Sequence, residues 1–230
     1  MATPKDPTQP KRPVGRPRKH PAPQADAASV QPPPAASTAT TEPFRLSLAC
    51  GTRKPEGFKG VDIVKTSATD YVQDLLKFPW KQFADNSVDE IECSHFLEHI
   101  PHGDGFHDPF FQFFDEVYRI LKPARFDPNN PNVPVSGFMN VSAPYYSSMR
   151  AWQDPTHNRA ISEASFLYLN KQWRIDNLLD HYPISCDFDF SYGYAVNPEW
   201  QNRNQEAQTF AIRNYINVVS DIQVMLTKRP

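Results

Sequence analysis

The placement of aromatic residues decides where this chain can build a core. All 16 phenylalanines, 9 tyrosines and 4 tryptophans lie from Phe44 onward, whereas residues 1–43 hold none of them but 11 of the 24 prolines. A segment of Pro, Ala, Ser, Thr and Gln buries too little apolar surface to offset chain entropy, so residues 1–43 are expected to be disordered. Their second half, 21–43, reads as an extended, semi-stiff Ala/Pro linker. Folding is left to residues 44–230, enough for one domain. Charge divides at the same place. Residues 1–43 carry six basic and three acidic side chains, or +3, so a total of −2 leaves −5 on the remainder. That balance excludes a uniformly basic nucleic-acid coat. No apolar run approaches the roughly 20 residues of a membrane span, and the N-terminus lacks an apolar secretory segment. Cys50, Cys93 and Cys186 are too few and too scattered for a disulfide framework, and no Cys-x-x-Cys pair suggests a zinc ribbon. A reducing, cytoplasmic setting is expected.

Hydrophobic periodicity from residue 44 onward alternates between strand and helix. Short apolar runs at 45–49, 60–64 and 71–74 read as strands, and 88–94 (VDEIECS) alternates at period two. Asp108 followed by Pro109 predicts a helix start. Phe110, Phe113, Phe114, Val117, Tyr118 and Leu121 then recur at helical spacing up to Pro123. Further strands are expected at 137–143, 184–196 and 217–227, with helices at 162–169 and from Pro198 to about Arg213. Residues 124–134 read as a proline- and asparagine-rich insertion. Strands separated by helices imply an α/β fold whose sheet is mostly parallel with an antiparallel C-terminal strand. Only about ten residues separate the first two strands, fewer than a parallel crossover normally needs. Helices are therefore expected to be reduced on one face of the sheet.

In an open parallel sheet, ligands sit beyond the carboxyl ends of the strands. The first strand ends in Ala49-Cys50-Gly51, where a glycine lets backbone approach a ligand. The second ends in Asp62, a carboxylate able to accept both hydroxyls of a ribose. The third ends in Asp74-Leu75, a polar and an apolar residue suited to the amino group and ring of a purine.

In order and spacing, residues 44–123 resemble a class I S-adenosylmethionine-dependent methyltransferase, of the small type 11 sort with bacterial and phage members. The resemblance rests on Leu48-Ala49-Cys50-Gly51, Asp62, Asp74-Leu75, the segment Ser94-His95-Phe96-Leu97-Glu98-His99-Ile100 and the helix end Tyr118-Arg119-Ile120-Leu121-Lys122-Pro123. It implies a Rossmann-like fold and S-adenosylmethionine as cofactor. Its cofactor-binding residues would be Ala49, Cys50, Gly51, Asp62, Asp74, Leu75, Ser94 and His95. The sequence departs from the family pattern in its short glycine motif, where Ala49 stands at a position commonly glycine, and in lacking a Pro-Gly-Gly turn after Pro123.

Methyl transfer from a sulfonium is a direct displacement, so orientation supplies much of the acceleration. A base is needed only when the acceptor loses a proton. His95, His99, Tyr145 and His157 are the candidates for that role. Packing or capping is the simpler reading of His95 and His99, wall or core packing that of Tyr145, and a turn that of Asp154-Pro155. His95, His99, Asp154 and His157 are permissible metal ligands, but the sequence does not set their mutual distances, and no metal is assigned.

Within the tail, Lys11, Arg12, Gly15, Arg16, Pro17, Arg18 and Lys19 form a run that resembles an AT-hook, with Val14 replacing an arginine of the core. The resemblance implies A·T-rich DNA as partner, because a narrow minor groove attracts arginine. A soluble basic tail without a dedicated partner fits the same residues. Two functions follow: a methyltransferase of unidentified acceptor localised to DNA by its tail, or a catalytically inactive methyltransferase fold acting as a DNA-associated scaffold.

Overall fold

The period-two alternation read in the strands becomes a sheet with one apolar and one polar face. The structure, a computed structural model, describes residues 42–104 and 107–230. The tail motif of residues 11–19 lies outside them. The strands are β1 (Arg45–Leu48), β2 (Lys59–Asp62), β3 (Thr69–Val72), β4 (Glu90–Ser94), β5 (Arg125–Asp127), β6 (Asn130–Ser136), β7 (Phe138–Pro144), β8 (Phe188–Val196) and β9 (Val219–Lys228). Seven of them form one sheet in the order β3-β2-β1-β4-β7-β9-β8. The pairs from β3 through to β7 are parallel, and β9 runs antiparallel to both β7 and β8. This is the mostly parallel sheet with an antiparallel C-terminal strand that the sequence implies. The order reverses at β1, with β2 on one side and β4 on the other, which is where an open α/β sheet places its ligand crevice.

Register assigns the faces. Leu46, Ile91, Met139 and Leu226 stand in one cross-strand row, and Leu48, Cys93, Val141 and Val224 in the next. Helix α1 (Pro109–Ile120) starts at Asp108, whose carboxylate accepts the amide of Phe110, and carries proline in its first turn. Its Phe113, Phe114, Val117 and Ile120 are wholly buried in the same core cluster as these rows, each worth about 1.5–3 kcal/mol. The intervening residues of the strands are polar: Ser47, Glu92, Asn140 and Ser142, with Arg45 paired to Glu90 at 3.1 Å and Ser47 donating to Glu92 at 2.7 Å. A cavity of about 410 Å³ on this face is lined wholly by strand residues, among them Glu92, Asn140, Ser191 and Gln223.

Several expectations are revised. The 124–134 insertion is part of a hairpin, β5 against β6. The helix expected from Pro198 to Arg213 is two, α4 (Pro198–Gln201) and α5 (Gln205–Asn214), because the Asn204 side chain caps a fresh start by accepting the Ala207 amide. The strand expected from Ile184 begins at Phe188. The helix at 162–169 is α2 (Glu163–Leu167), and α3 (Lys171–Asp176) follows it where no helix was foreseen.

Candidate functional site

Beyond Leu48 the chain turns sharply. Ala49 and Gly51 both take left-handed backbone, with φ of 52° and 54°. Gly51 bears that conformation freely, whereas Ala49 bears it at a cost of about 1 kcal/mol. The turn is fastened by side chains from the neighbouring strand end. Asp62 accepts the Gly51 amide at 2.8 Å and the Val64 amide at 2.9 Å, while Thr66 Oγ1 donates to the Gly51 carbonyl at 2.6 Å. Gly60, two residues earlier, allows this closeness: a Cβ there would stand 2.1 Å from the Ala68 carbonyl oxygen and 2.7 Å from Cys50 Sγ.

The third strand end joins the same rim, since the Gln73 amide donates to the Asp62 carbonyl at 2.9 Å. Gly51 and Asp62 therefore meet directly, and the residue before Asp74 is bonded to the same strand end. Asp74 is tied locally, accepting the Leu76 amide at 3.0 Å, with Lys77 Nζ at 3.4 Å. Leu75 departs from expectation. It is 4% exposed and belongs to the core cluster, so its side chain is unavailable to a purine ring. Ile63 and Val64, 61% and 60% exposed, instead place open apolar surface beside Asp62. Burial raises the Cys50 thiol pKa above its ordinary value. A cleft of about 290 Å³ at the ends of β1 and β4 is lined by Ala49, Cys50, Arg53, Lys54, Glu92 and Ser94.

After Ser94 the backbone turns again, His95 having φ of 54°. A 3-10 turn, Leu97–His99, follows. The His95 side chain is 40% exposed, with its Nδ1 3.3 Å from Glu98 Oε1. The Glu98 carboxylate raises the His95 pKa, against the opposing effect of burial. His99 and His157 are brought together, their rings 4.7 Å apart and edge to face. The fourth candidate base is overturned. Tyr145 is 2% exposed and donates to Glu163 Oε2 at 3.1 Å. Burial and the adjacent Tyr194 and Glu163 push its hydroxyl well above the ordinary tyrosine range. It is a core residue, as the simpler reading had it.

Two residues that matter here were not read from the sequence. Glu98 is 1% exposed. The available signal was an acidic residue set between Leu97 and Ile100, two positions that pack inward. Arg159 fastens the loop bearing His157, donating to the Ile100 and Pro101 carbonyls and to Asp108. No local pattern in the sequence marks it.

The strand order, the parallel run from β3 to β7 and the antiparallel β9 make a Rossmann-like, mostly parallel sheet. No protein-family model matches the sequence, and no curated protein does. Among solved structures, the chain is similar to a SAM-dependent methyltransferase from Archaeoglobus fulgidus, at 14% identity and a TM-score of 0.48 over 81% of this chain and 86% of that one. It is also similar to a putative S-adenosylmethionine-dependent methyltransferase from Listeria monocytogenes (11% identity, TM-score 0.45, 82% and 92% covered). A third likeness is to an S-adenosylmethionine-dependent methyltransferase from Mesorhizobium loti (12%, 0.45, 81% and 91%). At these identities the likeness is one of fold. Among the described residues, no helix is long and apolar enough to cross a membrane.

Proposed function

We propose that the protein binds S-adenosylmethionine along the carboxyl ends of β1, β2 and β3 and transfers its methyl group to an acceptor. The observation that carries this reading is the convergence on Asp62, which holds the Gly51 turn through its carboxylate and the β3 end through its carbonyl. The donor set fits the cofactor. Each Asp62 oxygen accepts one loop amide, and a carboxylate oxygen has a second lone pair for a ribose hydroxyl. Asp74 offers an acceptor to a purine amino group, and exposed Ile63 offers apolar surface to its ring. When bound, the sulfonium supplies a methyl group on a good leaving group. The chain's part is to orient it: the left-handed turn at 49–51 brings main chain to the ligand, and Ser94 and His95 close the β4 side of the rim. Orientation of this kind suffices for acceptors that need no deprotonation.

Calorimetry of the full chain with S-adenosylhomocysteine tests the reading. One equivalent should bind, and Asp62→Asn should weaken binding at least tenfold, since one charge-assisted acceptor is worth about 1.5–3 kcal/mol. Absence of binding to the folded wild-type chain would overturn it. Transfer is tested by scoring labelled methyl groups on nucleic-acid, protein and small-molecule pools. The AT-hook-like run adds a proposed localisation to A·T-rich DNA. Salt-dependent gel shifts with and without residues 1–43 decide it, and equal shifts from both chains would remove it.

A further inference from the structure

Beyond the β4 end stands a second cluster, to which the proposed cofactor binding assigns no role. Glu98 is 1% exposed, and neither of its carboxylate oxygens receives a hydrogen bond among the described residues. His95 Nδ1 lies 3.3 Å from Oε1. A buried carboxylate without donors is strongly disfavoured unless something positive meets it. One Glu98 oxygen and one ring nitrogen from each of His99 and His157 all lie within 4.8 Å of one another.

The hydrogen bonds around the two rings prepare them as ligands. His157 Nδ1 is 3.1 Å from the Ala151 carbonyl and must donate to it, which leaves the Nε2 lone pair free. Asp154 Oδ2, 3.9 Å from that Nε2, is beyond hydrogen-bond reach. Thr156 Oγ1 donates to Asp154 Oδ1 at 2.8 Å and so accepts from His99 Nδ1 at 3.0 Å, leaving Nε2 free there as well. Metal-bound histidines are characteristically oriented by such a bond from the other ring nitrogen to a carbonyl or a polar side chain. The two backbone segments are locked together besides. The amides of Asn158 and Arg159 both donate to the Glu98 carbonyl, at 2.7 and 3.1 Å, and Asn158 Nδ2 donates to the His99 carbonyl at 3.0 Å.

We propose that Glu98, His99 and His157 bind a divalent first-row transition-metal ion of the Zn²⁺ and Co²⁺ class. Two imidazoles and one carboxylate select such an ion over Mg²⁺ or Ca²⁺, which prefer all-oxygen sets. Three protein ligands leave a coordination position for water or a substrate oxygen. The site neutralises a carboxylate that is buried without a hydrogen bond among the described residues. It stands independently of the methyl-transfer reading.

The test uses the full, untagged chain stripped with a chelator and titrated with Co²⁺ or Zn²⁺ alone. The expected result is one equivalent bound with micromolar affinity or better, visible d–d absorption bands with Co²⁺, and a rise in Tm on adding Zn²⁺. Glu98→Gln and His157→Ala should each weaken binding by about tenfold or more and abolish the rise in Tm, while His102→Ala, outside the cluster, leaves both intact. Circular dichroism establishes that each variant folds; should Glu98→Gln fail to fold, His99→Ala takes its place beside His157→Ala. Binding no tighter than millimolar, or equal affinity in the wild type and the folded ligand variants, overturns the proposal.

Discussion

Arg159 offers the sharpest test of how the candidate site is held in place. Its Nε donates to the Ile100 carbonyl at 2.8 Å, and its Nη2 to the Pro101 carbonyl and to Asp108 Oδ1, both at 2.6 Å. The guanidinium also lies over the Phe110 ring, 5.3 Å from its centre. The Arg159 and Asp108 side chains are only 13% and 16% exposed. Breaking a buried pair costs about 3–5 kcal/mol when it strands the partner charge. Here Arg159→Met does not strand Asp108, which keeps the amides of Phe110 at 2.8 Å and Gly103 at 3.4 Å. We therefore expect a loss of about 2–3 kcal/mol, below that range, or a fall in Tm of about 5–10 °C for a chain of this size. Asp108→Ser keeps an N-cap while deleting the charge, so the double-mutant cycle isolates the pair, and its coupling should be about 1–2 kcal/mol. The acid limb supplies a second reading. Burial works against the Asp108 carboxylate, but Arg159 and the two amides outweigh it and hold its pKa below the usual carboxylate range. A depressed pKa gives stability that is present above the unfolded value of about 3.9 and is lost as pH falls through the folded value. Arg159→Met should flatten that loss. Urea unfolding followed by tryptophan fluorescence at neutral and acidic pH measures both. A coupling below about 0.5 kcal/mol, the scatter expected of independent sites, with an unchanged acid limb, would refute the reasoning.

Three further substitutions probe the rim and the core. Ala49→Gly should raise stability by about 0.5–1 kcal/mol in urea unfolding, since it relieves left-handed backbone at an alanine with φ of 52°. Gly60→Ala should cost about 1–3 kcal/mol or more and weaken S-adenosylhomocysteine binding with it, because the added methyl would meet the Ala68 carbonyl oxygen at 2.1 Å. Lys228→Met should lower stability by about 2–3 kcal/mol, because the ammonium of this 7%-exposed residue donates to Asn86 Oδ1 and to the Tyr118 and Leu121 carbonyls near the α1 terminus. An unchanged urea midpoint in that last variant would mean water replaces the lysine without cost.

The elements that local physics specifies were legible in the sequence. Helix α1 was readable because its cap, its first-turn proline and its apolar stripe all fall within 14 residues, from Asp108 to Leu121. The strand ends at Cys50-Gly51 and Asp62 were readable because a glycine and an acid break apolar runs there. What failed was whatever depends on distant contacts. Leu75 looked like a ligand-facing residue because its neighbour is polar, yet the packing of the core takes its side chain. Tyr145 follows a strand into the site region, but Glu163 and Tyr194 enclose it from elements far along the chain. The pairing of His99 with His157 spans 58 residues, and only the folded loop at 154–159 brings them into contact.

The polar face explains why Asp62 carries more than one duty. A parallel sheet usually has both faces covered, and its strands then read as continuous apolar runs. Here strands such as β4, Glu-Ile-Glu-Cys-Ser, alternate instead. The link from β1 to β2 is too short to lay a helix over the sheet, so residues facing that side must satisfy themselves with one another, as Ser47 does with Glu92. The same shortness removes the helix whose N-terminus would otherwise buttress the turn after β1. Asp62 and Thr66 supply that support through Gly51. Asp62→Asn should therefore lower Tm as well as cofactor affinity, since an amide has a single acceptor oxygen for the two loop amides that now share the carboxylate. Thr66→Val separates the duties. It loosens the Gly51 turn without touching the proposed ribose ligand, so it should lower Tm while weakening S-adenosylhomocysteine binding less than Asp62→Asn does. Equal losses of affinity in the two variants would reduce Asp62 to a loop support and remove it from the binding site.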